Sequence, residues 1–358
     1  MQKKLIALTI AGLVSAPVWA QSNVTVYGIV DMGYKYLSDS SVSGVGGRHA
    51  IDSGQRSGSR LGFRGTEDLG NGLKASFVLE SGIAADTGGL NQGGLAFGRQ
   101  SYVALSGSYG TIAAGRQYNP QHLIFLRVDP FGQGTVGRNS NIWGLGSAAA
   151  YQSRLNNLVT YTSPSFSGFN LMTAWTWASN QNESVDNKFT GTTNDMRMLA
   201  INPNYVNGPI RLSLNYLQAK FASTGVGATS GRKFKVWDVA GTYDFGVAKL
   251  AAAYGVDNPE GGDNNTRKFM VGVTVPVLKA GNVLASYNQA RHEDGDRASQ
   301  WAVGYDHALS KRTTLYTAFA DIDNRRATNE AFTAVSGDST NAGMTYQRGF
   351  NLGVRHTF

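Results

Sequence analysis

The five histidines are the most versatile catalytic side chains in this chain, and they lie far apart, at positions 49, 122, 292, 307 and 356. None belongs to an H-E-x-x-H pair, and the sequence has neither a nucleophile elbow nor a Walker-type phosphate loop. There is no cysteine, so thiolate chemistry and disulfides are excluded. We therefore predict no catalytic residue, no metal site and no cofactor.

Two acidic loops, 257–263 and 293–296, offer carboxylates of the kind that bind divalent cations. Neither loop has an ordered spacing of ligands, so two solvated loops are the favoured interpretation. Gly225 and Gly227 form a Gly-x-Gly, but no helix follows them, and the pattern is typical of a turn.

Basic side chains on alternating segments form the clearest chemical pattern. Arg60 and Arg64 alternate with apolar residues in segment 59–68. In segment 73–80, Lys74 and Glu80 share the polar face opposite Ala, Phe and Leu. Because successive side chains of a strand point to opposite faces, these charges lie on one wall.

The elements that position these charges are long strands with one apolar and one polar face. The first runs over residues 23–36, whereas strands of soluble domains cluster near 5 to 6 residues. Later segments repeat the pattern, and short turns alternate with longer polar loops. The sequence predicts an all-β fold, a transmembrane antiparallel β-barrel of roughly 16 strands with a wet interior.

Composition supports an exported barrel. Residues 1–20 read as a signal peptide, with Lys3 and Lys4 before an apolar run and an A-x-A-like end, which leaves 21–358 as the barrel. The chain has 45 Gly and 38 aromatic residues, which suits many strands joined by tight turns. The formal net charge is +8, with basic residues spread singly, so nucleic acid is not an expected partner.

One stretch interrupts the alternation, between Arg116 and Arg154. Loops beyond about 12 to 15 residues are uncommon in compact domains and are usually functional or disordered. This one contains Phe125, Phe131 and Trp143, which need a surface to pack against. We predict a loop at about 118–152 that folds inward and narrows the lumen.

Segment 59–75 closely resembles the second hairpin of the Gram-negative general porins, particularly the betaproteobacterial and neisserial branch. Segments 97–107, 114–117, 154–164 and 309–313 resemble other strand and turn blocks of that family. The resemblance implies a trimeric outer-membrane porin, a passive diffusion channel for ions and small hydrophilic solutes.

The resemblance also implies which residues line the pore constriction. It adds Arg99 and Arg154 to the wall that carries Arg60, Arg64 and Lys74, and it places Asp129 at the tip of the constriction loop. Asp-Pro stands there where related porins often have Pro-Glu. With Glu80, these residues form the predicted constriction. Since positive charge dominates, we predict a preference for small anions.

Arg116 has the parity of Ile112 and Ala114, which places it on the outer face of the barrel. Arginine on a lipid-facing wall costs about 2 to 4 kcal/mol at the midplane. In porins the second outer loop latches onto the adjacent subunit, and here that loop contains Asp86. We hypothesise that Asp86, or a nearby carbonyl, contacts Arg116 of a neighbouring chain. The alternative is an arginine among lipid headgroups.

The last strand ends at Phe358, and the resemblance implies that this terminal aromatic is the outer-membrane assembly signal. The strand must pair with the first, since an open edge is not stable in lipid. Outer-membrane lipids and lipopolysaccharide are therefore expected partners of the barrel.

Two other functions remain open from the residues alone. A barrel enzyme needs an Asp/His or Ser/His cluster at its outer rim, whereas an exported adhesin needs no inward ring of arginines. Bilayer conductance and assays of lipid and peptide hydrolysis would separate them.

Overall fold

The computed structural model describes residues 23–40, 46–144, 152–177, 179, 196–221, 233–260, 265–325 and 346–358. These residues form one antiparallel sheet and two helices. The predicted signal peptide, residues 1–20, lies outside the described residues. In the described part of the chain, no helix has the length and apolar character needed to cross a membrane.

The strands are β1 (Asn23–Ser40), β2 (Arg48–Ser53), β3 (Arg60–Gly70), β4 (Leu73–Ala84), β5 (Gly89–Leu90), β6 (Gln100–Gly107), β7 (Gly110–Tyr118), β8 (Arg154–Thr162), β9 (Phe169–Thr176), β10 (Met196–Asn207), β11 (Ile210–Phe221), β12 (Lys233–Asp244), β13 (Lys249–Pro259), β14 (Thr266–Val277), β15 (Gly281–His292), β16 (Arg297–Ala308), β17 (Thr313–Arg325) and β18 (Tyr346–Thr357). The helices are α1 (Pro120–Val128) and α2 (Ser140–Trp143).

The sheet closes on itself, because β1 pairs with β18, with Ile29 opposite Thr357. The backbones of Gly28 and Phe358 exchange two hydrogen bonds of 3.1 Å at this seam. β2 and β3 pair with successive parts of β1, and within the described residues the two-residue β5 pairs with β4 alone. The result is the predicted closed barrel of 16 antiparallel strands.

Burial alternates along the strands as predicted. On β1, Val24 and Val26 are more than half exposed on the outer face, whereas Asp31 is completely buried on the inner face. An apolar outer wall avoids the cost of placing polar groups in hydrocarbon.

Connection lengths also follow the prediction. Short turns at one end include 71–72, 108–109 and 208–209, and they are stabilised by residues with positive φ such as Asn71. The long connection 119–153, between β7 and β8, belongs to the opposite end. We refer to this connection as the constriction loop.

The constriction loop folds into the lumen, which confirms the predicted inward path. It packs against the inner wall through two clusters of buried apolar residues. Phe131, Val136 and Ile142 join a cluster with Leu37 of β1 and strands β15 to β18. Phe125, Val128 and Trp143 join a second cluster with β12 to β14.

The loop contains a helix that the alternation pattern did not predict. The side chain of Asn119 accepts a hydrogen bond from the Gln121 backbone N–H (3.1 Å), and Pro120 begins α1. Asn at the N-cap followed by Pro is a recognised helix start. That signal is present in the sequence.

Candidate functional site

An arginine-lined cavity of about 450 Å³ lies between the constriction loop and the wall formed by β3 and β6 to β8. We call it the arginine cavity. Its five arginines are Arg56, Arg60, Arg99, Arg138 and Arg154. None of the described residues that line it is Asp or Glu. Three of the five, Arg60, Arg99 and Arg154, were predicted at the constriction, and the structure brings them together.

Glu80 lies behind this wall and orders part of it. Its carboxylate accepts a hydrogen bond from Arg99 Nε (2.7 Å) and one from the Tyr27 hydroxyl (3.0 Å), and it lies 3.8 Å from Arg60 Nη1. The Glu80 and Arg99 side chains are 3% and 5% exposed. Glu80 is thus a structural counter-charge for Arg99 and Arg60, whereas Arg154 contacts the neutral Tyr118 and Ser153 side chains.

Tyr118 joins the wall to the loop. Its hydroxyl accepts hydrogen bonds from Arg99 Nη2 (2.6 Å) and Arg154 Nη2 (2.9 Å), and Arg154 also lies over its ring at 4.4 Å. His122 of α1 stacks on the same ring, with centroids 5.3 Å apart. Burial and the charges of Arg154, Arg99 and Arg138 lower the pKa of His122 to about 3. The imidazole therefore remains neutral at physiological pH.

Arg56 was not predicted, because it lies in the Gly- and Ser-rich segment 54–59 between β2 and β3. Asp31 holds this segment, accepting the backbone N–H groups of Arg56 (3.0 Å) and Ser57 (2.6 Å). The Arg56 guanidinium donates to Phe131 O (2.7 Å) and pairs with Asp306 (3.3 Å). The sequence signal that could have identified Arg56 is the break in side-chain alternation between Gly54 and Gly58.

Asp129 does not face the lumen, which corrects the prediction that it lines the constriction. Its carboxylate accepts the backbone N–H groups of Phe131 (3.0 Å), Gln133 (3.0 Å) and Asn139 (3.1 Å), all within the loop. Burial raises its pKa to about 6. An Asp side chain readily accepts hydrogen bonds from nearby backbone N–H groups. Here those hydrogen bonds orient the Asp129 carboxylate into the loop and away from the pore.

Arg64 and Lys74 have the predicted inward parity but lie outside the arginine cavity. Arg64 lies four residues along β3 from Arg60, about 13 Å by strand geometry, and stacks on Tyr27 at 5.1 Å. Lys74 lies opposite Asp68 beside the short turn at 71–72. Both charges belong to the vestibule at the short-turn end, and this corrects their assignment to the constriction.

Arg116 lies on the outer face, opposite Ser101 and in line with the exposed Ile112. Its guanidinium donates to Gly98 O (2.7 Å) and to Asn156 Oδ1 (2.6 Å) of the same chain. Asp86 is exposed in the turn after β4. The contact between Asp86 and Arg116 of a neighbouring chain remains a prediction.

A buried polar network that the sequence did not indicate fixes the loop to the wall. Asp238 of β12 accepts hydrogen bonds from Gln121 Nε2 (2.7 Å), Asn215 Nδ2 (2.6 Å) and Trp143 Nε1 (3.2 Å). Beside it, Lys268 pairs with Asp257 (2.6 Å) and donates to Trp143 O (3.1 Å). These contacts hold α1 and α2 against β11 to β14, so the cavity keeps its shape.

The arrangement suits passage and electrostatic selection of solutes. Within the described ranges, no group of three or more His, Asp or Glu residues could hold a metal ion. The charges converge on an open cavity between the packed constriction loop and the wall. A closed transmembrane barrel with an inward constriction loop defines a diffusion channel.

Comparison with known proteins identifies the family. The model of the Gram-negative porin family matches residues 7–327. Outer membrane porin protein 32 of Delftia acidovorans is 35% identical, with 100% of each chain covered. The chain belongs to the Gram-negative porin family, and it is an outer-membrane channel.

Solved structures agree with this family assignment. An anion-selective porin from Comamonas acidovorans has a TM-score of 0.79 and 32% identity, with 94% of this chain and 100% of that chain covered. The trimer form of OmpT from Vibrio cholerae has a TM-score of 0.70 at 15% identity, covering 94% of this chain and 99% of that one, and this likeness shows the fold alone. The family favours a channel over the barrel enzyme and the adhesin considered above.

Proposed function

We propose that this porin passes small hydrophilic solutes by passive diffusion with a preference for anions, and that it works as a homotrimer. The observation that carries the anion preference is the convergence of five arginines on a cavity whose described lining includes no carboxylate. The similarity to the anion-selective porin from Comamonas acidovorans supports the same preference.

The physical argument is electrostatic. A single-sign charge in a low-dielectric channel concentrates the opposite ion. Three of the five arginines pair with carboxylates outside the cavity lining: Arg99 and, at 3.8 Å, Arg60 share Glu80, and Arg56 pairs with Asp306. Arg60 also donates from Nε to Gly58 O, 2.8 Å away, and Arg154 donates to Tyr118. Five guanidinium groups outnumber the carboxylates of Glu80 and Asp306, so the excess positive charge acts on the passing solute.

The test removes two of these charges. The variant Arg60→Gln with Arg154→Gln should lower the ratio of chloride to potassium permeability. A charge about 7 Å from the ion contributes about 0.6 kcal/mol in a water-filled pore, or about threefold per arginine. The measurement is the reversal potential of single channels in a KCl gradient at low salt.

The matched control is Arg64→Gln with Lys74→Gln, which removes the same charge from the inner wall away from the cavity. We expect a smaller shift from this variant. Equal shifts from the two variants would place selectivity in the lumen as a whole and contradict a role for the cavity.

The trimer proposal rests on the outer face of β1 to β9. In the described residues, Arg116, and Glu67 near the short-turn end, are the charged side chains that face outward there. The remaining face is apolar and exposed, with Val24, Val103 and Leu105 among its residues. A neighbouring subunit would cover this face and contact Arg116.

The variant Arg116→Glu should lower the temperature at which the trimer dissociates in detergent. Arg325→Glu is the matched control, because it reverses an exposed charge on the other half of the barrel. An unchanged dissociation temperature for Arg116→Glu would count against the proposed contact with Asp86.

A further inference from the structure

Asp31 lies where β1 changes its pairing partner. β2 ends opposite Met32, and β3 begins opposite Ile29. The residues 54–59 that connect β2 to β3 therefore stand opposite positions 30 and 31 of β1, and extra residues on one side of a ladder bend the chain out of the sheet. We call residues 54–59 the bulge segment.

The Asp31 side chain is completely buried under the bulge segment and is surrounded by hydrogen-bond donors. Its carboxylate accepts the backbone N–H groups of Arg56 (3.0 Å) and Ser57 (2.6 Å) and the hydroxyl of Tyr316 on β17 (2.6 Å). The Ser59 hydroxyl accepts from the Asp31 N–H (3.0 Å) and donates to the Asp31 carbonyl (3.1 Å). Since hydrogen bonds to a carboxylate are stronger than those between neutral groups, Asp31 determines the shape of the bulge segment.

The bulge segment borders two cavities in the lumen. Arg56 and Ser57 line the arginine cavity, and they also line a second cavity of about 380 Å³ together with Asn282, Asp306 and Arg355. The second cavity lies nearer the short-turn end, where β16 and β18 end. The Ser57 hydroxyl accepts a hydrogen bond from Arg355 Nε (3.0 Å). Arg56 therefore lies at the junction of the two cavities, where a solute passes from one to the other.

The bulge segment also contacts the tip of the constriction loop. The Arg56 guanidinium donates to Phe131 O (2.7 Å), and the Gln55 carbonyl accepts the Thr135 N–H. Gly134 lies against the Arg56 backbone, with no space for a Cβ. A shift of the bulge segment would therefore move the Arg56 charge and release the loop tip.

We propose that Asp31 is a positioning residue for anion selection. It does not touch the solute, but by holding two backbone N–H groups it keeps the Arg56 guanidinium at the junction of the cavities. The proposal rests on the anion preference proposed above. The charge of Asp31 by itself acts against that preference, since a carboxylate near the lumen repels anions. Its positional and its electrostatic effects therefore have opposite signs.

The test compares two substitutions that each remove one carboxylate near Arg56. Asp31→Leu also removes the acceptor of the bulge segment, so the ratio of chloride to potassium permeability should fall, by up to about threefold, the effect of losing one charge about 7 Å from the ion. Asp306→Leu is the matched control. It removes the carboxylate partner of Arg56, which still donates to Phe131 O, so the ratio should rise. Reversal potentials of single channels in a KCl gradient at low salt give both ratios, and a rise in Asp31→Leu would overturn the proposal.

Two further variants separate position from charge. Asp31→Asn keeps an oxygen for the two N–H groups and an amide that can donate to the Tyr316 oxygen, so the permeability ratio should stay at or above the unmutated value. Arg56→Gln should lower the ratio about threefold, and adding Asp31→Leu should lower it no further. A fall in Asp31→Asn as large as that in Asp31→Leu, or additive falls in the double variant, would contradict the positioning role.

A normal yield of heat-resistant folded barrel will show that each variant folds. If Asp31→Leu does not fold, Asp31→Ser serves, because its hydroxyl still accepts one N–H group. The ratio should again fall, and an equal or higher ratio would overturn the proposal. Each result is a shift from the unmutated channel. A potassium preference of the unmutated channel would therefore refute the proposed function, whereas opposite shifts at Asp31 and Asp306 would still support the positioning of Arg56.

Discussion

Arginine suits the cavity because its planar guanidinium can be held by neutral acceptors while it keeps its charge. The Tyr118 hydroxyl accepts from both Arg99 and Arg154, and the Gly58 carbonyl accepts from Arg60. A lysine has no planar fork and would need other contacts to stay in place. An anion-preferring constriction requires ordered positive charge in excess of the nearby carboxylates, and here five arginines accompany Glu80 and Asp306.

His122 should not contribute a titrating charge. Its pKa of about 3 lies far below the usual value near 6.5, so the ring gains a proton only in strong acid. We expect wild type and His122→Gln to show the same pH dependence of reversal potential between pH 5 and pH 8. A change in wild type near pH 6.5 that His122→Gln abolishes would contradict the neutral imidazole.

The ion pair between Glu80 and Arg99 should stabilise the wall. Replacing Arg99 with Met leaves the buried Glu80 carboxylate with only the more distant Arg60 as a charged partner among the described ion pairs, and breaking a buried pair costs about 3 to 5 kcal/mol. Tyr27 still donates to Glu80, so we expect the lower end of this range. Urea unfolding of Arg99→Met, Glu80→Gln and the double variant gives the coupling free energy between Arg99 and Glu80 in a double-mutant cycle. A second cycle, on Arg64 and Glu80, is the control and should show no coupling.

At the scale of elements, the constriction loop behaves as part of the wall. α1 and α2 pack on β11 to β16 through apolar clusters and through the hydrogen bonds to Asp238. An Asx-type turn at Asp129 fixes the loop tip. The width of the pore at the constriction loop is therefore determined by buried contacts that a passing solute does not touch.

Replacing Asp238 with Ala should loosen the loop. Three donors, on Gln121, Asn215 and Trp143, would lose a buried acceptor, and each unsatisfied group costs about 1 to 3 kcal/mol. We expect larger fluctuations of the open-channel current and faster proteolysis within 119–144. Asp244→Ala, which alters an exposed turn on the same strand, is the control. Equal current noise in the two variants would show that Asp238 does not anchor the loop.

The seam of the barrel depends on Gly28. A Cβ at this position would lie 2.3 Å from the Phe358 ring and 2.7 Å from the Arg60 carbonyl oxygen. Because the carbonyl belongs to the backbone of β3, it cannot move away without disturbing the strand. Gly28→Val should reduce the yield of heat-resistant folded barrel, whereas Gly46→Val, in open space, should not. Normal assembly of Gly28→Val would exclude tight packing at the seam and weaken the case for Phe358 as an assembly signal.

Much of this architecture was predictable, because side-chain alternation determines both the strands and the face of each charge. Alternation assigned Arg60 to the inner wall, whereas Arg99 and Arg154 were assigned to it from the family resemblance; all three line the cavity. Depth along the pore was not predictable from parity, so Arg64 and Lys74 were assigned too near the constriction. The orientation of Asp129 depends on backbone N–H groups that only the folded loop brings together.

For the whole molecule, the described charges fall into separate sets. Arginines inside the barrel converge on the cavity, and a second group faces outward on β14 to β17. The outer face of β1 to β9 carries little charge. The cavity and the sparsely charged outer face correspond to the proposed roles in solute selection and subunit contact.

The most direct test of the central proposal is the reversal potential of the unmutated channel in a KCl gradient. We expect chloride to be preferred over potassium. The preference should weaken as salt rises, because the screening length falls from about 10 Å at 0.1 M to about 3 Å at 1 M. A preference for potassium at low salt would contradict the assignment of the arginine cavity as the selecting site.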